Sequence, residues 1–223
     1  MKIILFLITC FTLFNTNIIK AQKNQFDADG KRHGLWQKNF EGTNQIRYTG
    51  TFDHGNETGT FKFYAQGFPK KPSAIKEFSE NGKKALVTFY TQKGNVISKG
   101  HLVNKKREGE WKYYHKDSDK LMMVENYVND KLEGERLSYY NNGQVSEKSN
   151  FVNGKKEGQE LVYSLKGVVL KEFNYKNDLL NGINKYFNGK GELTIEGMYK
   201  NNKKIGVWKY YENGKLVREK KQK

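Results

Sequence analysis

A glycine that returns every 24 or 25 residues constrains this chain more than any other feature. Gly109, Gly134, Gly158, Gly182 and Gly206 stand 25, 24, 24 and 24 residues apart, and Gly34 and Gly59 are 25 apart. Ala85 fills the place between Gly59 and Gly109, which makes eight anchors from about residue 27 to the C-terminus. Self-similarity at such a period marks units that bury their apolar surface by stacking on their neighbours. Other positions keep step with the anchor. Five residues after it stand Tyr64, Tyr90, Tyr114, Tyr139, Tyr163, Phe187 and Tyr211. Near seventeen after it stand Phe52, Leu102, Tyr127, Phe151, Tyr175 and Tyr199, with a turn former (Asp53, Asn104, Asn129, Asn153, Asn177 or Asn201) just beyond.

Within a unit the side chains alternate with the period of two expected of a strand, as in Glu110-Trp111-Lys112-Tyr113. Trp, Tyr, Phe, Val and Thr suit a pleated surface. Asn142-Gly143, Asn153-Gly154, Asn188-Gly189 and Asn213-Gly214 read as two-residue hairpin turns in which both residues take positive φ. No stretch keeps a helical stripe of i, i+3, i+4, i+7. The reading is therefore all-β: an elongated single antiparallel meander sheet of about eight strand–turn–strand units, in which each unit contacts mainly its neighbours.

Residues 1–21 stand apart from the repeat. Met1-Lys2, an apolar run from Ile3 to Phe14 and the polar break before Ala21 read as a secretory signal peptide, with residues 22–223 forming the repeat domain. Leu7-Ile8-Thr9-Cys10 also leaves a lipoprotein cleavage box open as an alternative. Cys10 is the only cysteine, so residues 22–223 can form neither disulfides nor thiolate sites. The net charge is +16, and without Lys2 and Lys20 it is +14. A field of that sign favours anionic partners.

The wording Gly-x-Trp-x-Tyr-Tyr-x-x-Asn-Gly, from Gly206 to Gly214 and echoed from Gly134 to Gly143, resembles the MORN repeat (membrane occupation and recognition nexus). It is most similar to the bacterial variant of that repeat, whose members include proteins catalogued as antitoxin components of toxin–antitoxin systems. The resemblance covers essentially all of residues 22–223. It implies an elongated MORN-like antiparallel sheet with no catalytic residues and no cofactor, serving as a scaffold, a membrane-proximal module or a partner-binding surface.

The residues themselves point to no catalytic, cofactor or metal site. His33, His54, His101 and His115 fall at different phases of the repeat and have no metal-ligand spacing. Glu108, Glu133 and Glu157 precede successive anchors. They are expected two strands apart, roughly 9.5 Å at about 4.8 Å per strand, on an edge without a cleft, as surface ion-pair partners. Two binding surfaces remain. A candidate basic edge comprises Lys31, Lys106, Lys131, Lys155 and Lys203, three residues before the anchor, with Arg32, Arg107, Lys156 and Lys204 one place on. A candidate aromatic surface comprises Trp36, Trp111, Tyr113, Trp208 and Tyr210, which equally fit as packing between rungs.

The expected function is a non-catalytic, exported repeat scaffold that binds a protein or peptide at the cell envelope, in the periplasm, on the cell surface or outside. The alternatives are a basic module for anionic lipid or acidic glycan, and an antitoxin or immunity protein. Nothing in the composition favours nucleic acid as the partner.

Overall fold

The computed structural model describes residues 22–222. The expected signal peptide and Cys10 lie outside the described residues. Strand accounts for 65% of the chain, far above the 20–25% of an average globular protein, and the described helical structure is one 3-10 turn, Glu80–Gly82. The architecture is one long open antiparallel meander, as the repeat implied.

The strands are β1 (Gln25–Phe26), β2 (Arg32–Asn39), β3 (Ile46–Asp53), β4 (Asn56–Phe63), β5 (Ala74–Ser79), β6 (Lys84–Tyr90), β7 (Val96–Val103), β8 (Lys106–Tyr114), β9 (Leu121–Val128), β10 (Lys131–Leu132), β11 (Gly134–Tyr139), β12 (Val145–Val152), β13 (Lys155–Lys156), β14 (Gly158–Tyr163), β15 (Val169–Lys176), β16 (Leu179–Leu180), β17 (Gly182–Phe187), β18 (Leu193–Lys200), β19 (Lys203–Glu212) and β20 (Lys215–Lys221). The pairs β10/β11, β13/β14 and β16/β17 are single strands interrupted one residue before the anchor glycine.

The interruption explains the glycine. Gly34, Gly59, Gly109, Gly134, Gly158, Gly182 and Gly206 all have φ between +63° and +109°, a conformation that a side chain opposes. At six of the seven, an added Cβ would have no atom within 4 Å, so backbone conformation and not crowding selects glycine. Five anchors face the large residue that recurs about seventeen positions on: Gly34 pairs with Phe52, Gly109 with Tyr127, Gly134 with Phe151, Gly158 with Tyr175 and Gly182 with Tyr199. Ala85 pairs with Leu102 in unbroken register. That unit dispenses with the left-handed residue altogether.

The two edges of the sheet turn differently. On one, Asn104-Lys105, Asn129-Asp130, Asn153-Gly154, Asn177-Asp178 and Asn201-Asn202 carry positive φ at both positions, the two-residue turn that matches strand twist. On the other, only the last residue of a longer turn is left-handed, as at Gly143, Gly167 and Gly191. Asn213-Gly214, at the end of β19, does take both positive φ values. Asn142-Gly143 and Asn188-Gly189 are thus not the two-residue turns expected. Asn188 instead accepts the backbone N–H of Lys190 and Glu192 through Oδ1 (2.9 and 3.0 Å), which starts a wider loop closed by Gly191.

The core lies on one face. Trp36, Phe61, Val87, Trp111 and Trp208, each two residues after an anchor position, form its central row, with Phe52, Tyr127, Phe151 and Tyr199 from the intervening strands. Trp111 and Trp208 are 4% and 1% exposed although the sheet is a single layer. They lie flat on Gly100 and Gly197 of the preceding strand, where a Cβ would come within 2.3 and 2.2 Å of the indole. Phe61 covers Gly50 in the same way.

Candidate functional site

The basic edge is built by the two-residue turns, which stack on one another. Asp130, Asp178 and Asn202 donate their backbone N–H to the carbonyls of Arg107, Lys156 and Leu180, each at 3.0 Å. Their side chains accept the backbone N–H of those same residues at 2.7–2.8 Å. Glu108, Glu133 and Glu157 accept the backbone N–H of Asn129, Asn153 and Asn177 at 2.8–2.9 Å. They are caps for the next turn and not the ion-pair partners expected, because a left-handed turn leaves that N–H facing the neighbouring strand.

The structure divides the nine basic residues into two sets. Lys31, Lys106, Lys131, Lys155 and Lys203 are exposed along the edge. Lys31 lies 3.7 Å from Asp29, whereas the other four have no ion-pair partner among the described residues. Arg32, Arg107, Lys156 and Lys204 fold back over the core face. Arg107 lies 3.8 Å from the Tyr127 ring centre, Lys204 4.1 Å from Trp208, Arg32 4.9 Å from Trp36 and Lys156 5.0 Å from Tyr175. Such cation–π contacts contribute about 0.5–2 kcal/mol each. These four residues cap the aromatic row.

The candidate aromatic surface is mostly interior. Trp111 and Trp208 are buried, and Trp36, Tyr113 and Tyr210 are half-buried. Trp111 donates its indole N–H to the His101 carbonyl at 3.1 Å, and Tyr113 and Tyr127 hydroxyls meet at 3.4 Å. The opposite face carries cross-strand pairs such as Lys209 with Glu196 (3.5 Å) and Lys185 with Glu172 (3.8 Å). It also exposes Ile183, Met198 and Val207. Ile183 and Met198 are directly paired across β17 and β18, and Val207 follows on β19.

The central row changes character in the fifth to seventh units, where Arg136, Glu160 and Asn184 stand at the place held elsewhere by Trp, Phe or Val. Arg136 donates to Glu147 at 2.6 Å, and Lys156 bridges Glu147 (3.6 Å) and Glu160. The Tyr175 hydroxyl approaches Glu160 at 3.4 Å. Burial works to raise the Glu147 carboxyl, but the Arg136 hydrogen bond and the two positive charges outweigh it and hold it below its ordinary range. Burial also draws the Lys156 ammonium down, despite Glu147. On the neighbouring strand β9, Tyr127 donates to buried Glu125 at 2.6 Å, and burial followed by that carboxylate pushes the phenol well up. Glu147 and Glu160 are paired with Arg136 and Lys156, and Glu125 accepts the Tyr127 hydroxyl, so this is a polar splice in the core. Its trace in the sequence is the run Trp, Phe, Val, Trp, Arg, Glu, Asn, Trp at two residues past the anchors, which reading for aromatics alone passes over.

The histidines need correction. His33 and His54 come together with Asp53, their ligand atoms all within 4.8 Å of one another. The turn between β3 and β4 carries His54 back across the sheet edge to β2, which spacing along the chain does not reveal.

The family profile described as "MORN repeat variant" matches residues 132–153 and 204–221. No curated protein matches the sequence. Among solved structures, the chain is similar to one in "Crystal structure of GtfA/B complex", with 14% identity over 44% of this chain and 20% of that one, at a TM-score of 0.30. It is also similar to the chain in "Crystal Structure of TarM". There the identity is 12%, over 60% of this chain and 21% of that one, at a TM-score of 0.24. The chain thus spans about one fifth of these structures, and likeness at that level bears on neither activity nor ligand. The two profile matches fall on units whose anchor, paired aromatic and two-residue turn recur along the sheet, so the chain carries MORN-variant repeats at these two stretches.

Proposed function

We propose that this chain is a non-catalytic, exported repeat scaffold that binds a protein or peptide at the cell envelope. The observation that supports the reading is the trio Ile183, Met198 and Val207. They are 50%, 44% and 46% exposed; Ile183 and Met198 are directly paired across β17 and β18, and Val207 is on the next strand, on the face that the core does not use. Large apolar side chains grouped between ion pairs form the kind of patch that a partner covers. The test compares the protein with an Ile183→Ser, Met198→Ser, Val207→Ser variant for co-purifying protein at low and high salt. A partner retained at high salt by the native protein and lost from the variant is the expected result. Retention by both would remove this face from consideration.

A second reading, a basic module for anionic lipid or glycan, is favoured by the four edge lysines without ion-pair partners. Its contacts would weaken steeply between low and physiological salt, which an apolar contact would not.

A further inference from the structure

The first repeat replaces the capping residues of the edge with ligand-type side chains. Where later units carry a capping glutamate, such as Glu108, this one carries His33. Where they carry a left-handed asparagine, it carries His54, with φ +45°. His33 Nδ1 lies 3.5 Å from the His54 backbone nitrogen, a long contact that metal ligation through Nδ1 would replace. The two rings are 4.9 Å apart.

We propose that His33, Asp53 and His54 form a binding site for a divalent transition cation of the zinc class. Asp53 Oδ1 lies 3.6 Å from His33 Nδ1 and 3.8 Å from His54 Nε2. Ligands about 2.0–2.2 Å from a tetrahedral zinc are roughly 3.3–3.6 Å apart, so small side-chain movements close the site. His54 is already oriented. Its Nδ1 meets Asp27 Oδ2 at 2.7 Å, the carboxylate–histidine arrangement that fixes a ligating imidazole and leaves Nε2 for the metal. Asp27 is itself fixed by the N–H groups of Asp29 (3.0 Å) and Lys31 (2.8 Å), and its side chain is 8% exposed.

Two imidazoles with one carboxylate suit zinc, nickel or copper and not calcium or magnesium, which prefer all-oxygen shells. Of the neighbouring cations, Arg32 lies over Trp36 and Phe52, and Lys31 is 3.7 Å from Asp29. Three protein ligands on an exposed edge leave the remaining position to solvent or to a ligand from a partner.

The test is calorimetric titration of untagged protein with zinc chloride, with His33→Ala, His54→Ala and, as controls, His101→Ala and His115→Ala. One equivalent bound by the native protein is expected, with affinity lowered at least about tenfold in each site variant and unchanged in the controls. Circular dichroism spectra matching the native protein establish that the exposed histidines were replaced without loss of fold. No zinc uptake by the native protein, or equal binding by site and control variants, overturns the proposal.

Discussion

Two kinds of glycine hold this sheet together, and a side chain added to one has a different effect from a side chain added to the other. The anchors take left-handed φ in open surroundings, so Gly158→Val is expected to cost about 1–3 kcal/mol through backbone strain. Gly158→Asn should cost less, because asparagine tolerates that region. Gly197 has no such φ. A methyl there meets the Trp208 ring at 2.2 Å, so Gly197→Ala is expected to destabilise by about 1–3 kcal/mol through overpacking. Urea denaturation of the three variants checks the ordering. An Asn variant no better than Val would show that conformation is not what selects the anchor. The anchors were legible because their period is visible in the sequence. The stacking glycines Gly50, Gly100 and Gly197 were not, since they recur in only some units and their role depends on which ring lies above them.

At the scale of strands and turns, the sequence announced that hairpins exist but misjudged some of their types. Asn-Gly reads alike on either edge, yet at Asn153 both residues are left-handed, whereas at Asn188 the side chain closes a wider loop. The glutamates before the anchors were visible as a row, but their role as caps depends on a backbone N–H some twenty residues away. The polar splice gives the sharpest prediction at this scale. Because the folded-state pKa of Glu147 is depressed, its ionised form contributes stability above the ordinary carboxylate value. That contribution fades as pH falls through the lower folded value. Glu147→Gln is expected to be less stable by about 1–3 kcal/mol at pH 7 and to lose stability less steeply below about pH 4.5. Thermal unfolding across pH 3–7 measures both. A parallel acid profile in the variant would mean that Glu147 does not carry the dependence.

For the molecule as a whole, the repeat period together with the alternation and turn residues inside each unit was enough to read the all-β meander. It could not sort the basic residues, since one place along a strand decides whether a side chain stays on the edge or folds onto the core. That division sharpens the binding test. Reversing Lys106, Lys131, Lys155 and Lys203 to Glu is expected to lower retention on anionic vesicles or heparin with the fold intact, as exposed charges contribute at most about 1 kcal/mol each. Reversing Lys70, Lys116, Lys166 and Lys190, exposed residues in turns of the opposite edge, changes net charge equally and should do less harm. Equal losses would assign binding to bulk charge alone.

Each strand bonds only to its neighbours in sequence, and this decides how the protein would respond to tension. Force applied between the first and last strands pulls across the hydrogen-bonded ladder and not along it. Strands then detach one after another, each releasing a short length of chain, and no group of bonds must shear together. A tether made this way yields gradually and lengthens under load, so anything bound to its middle would stay attached while the ends give.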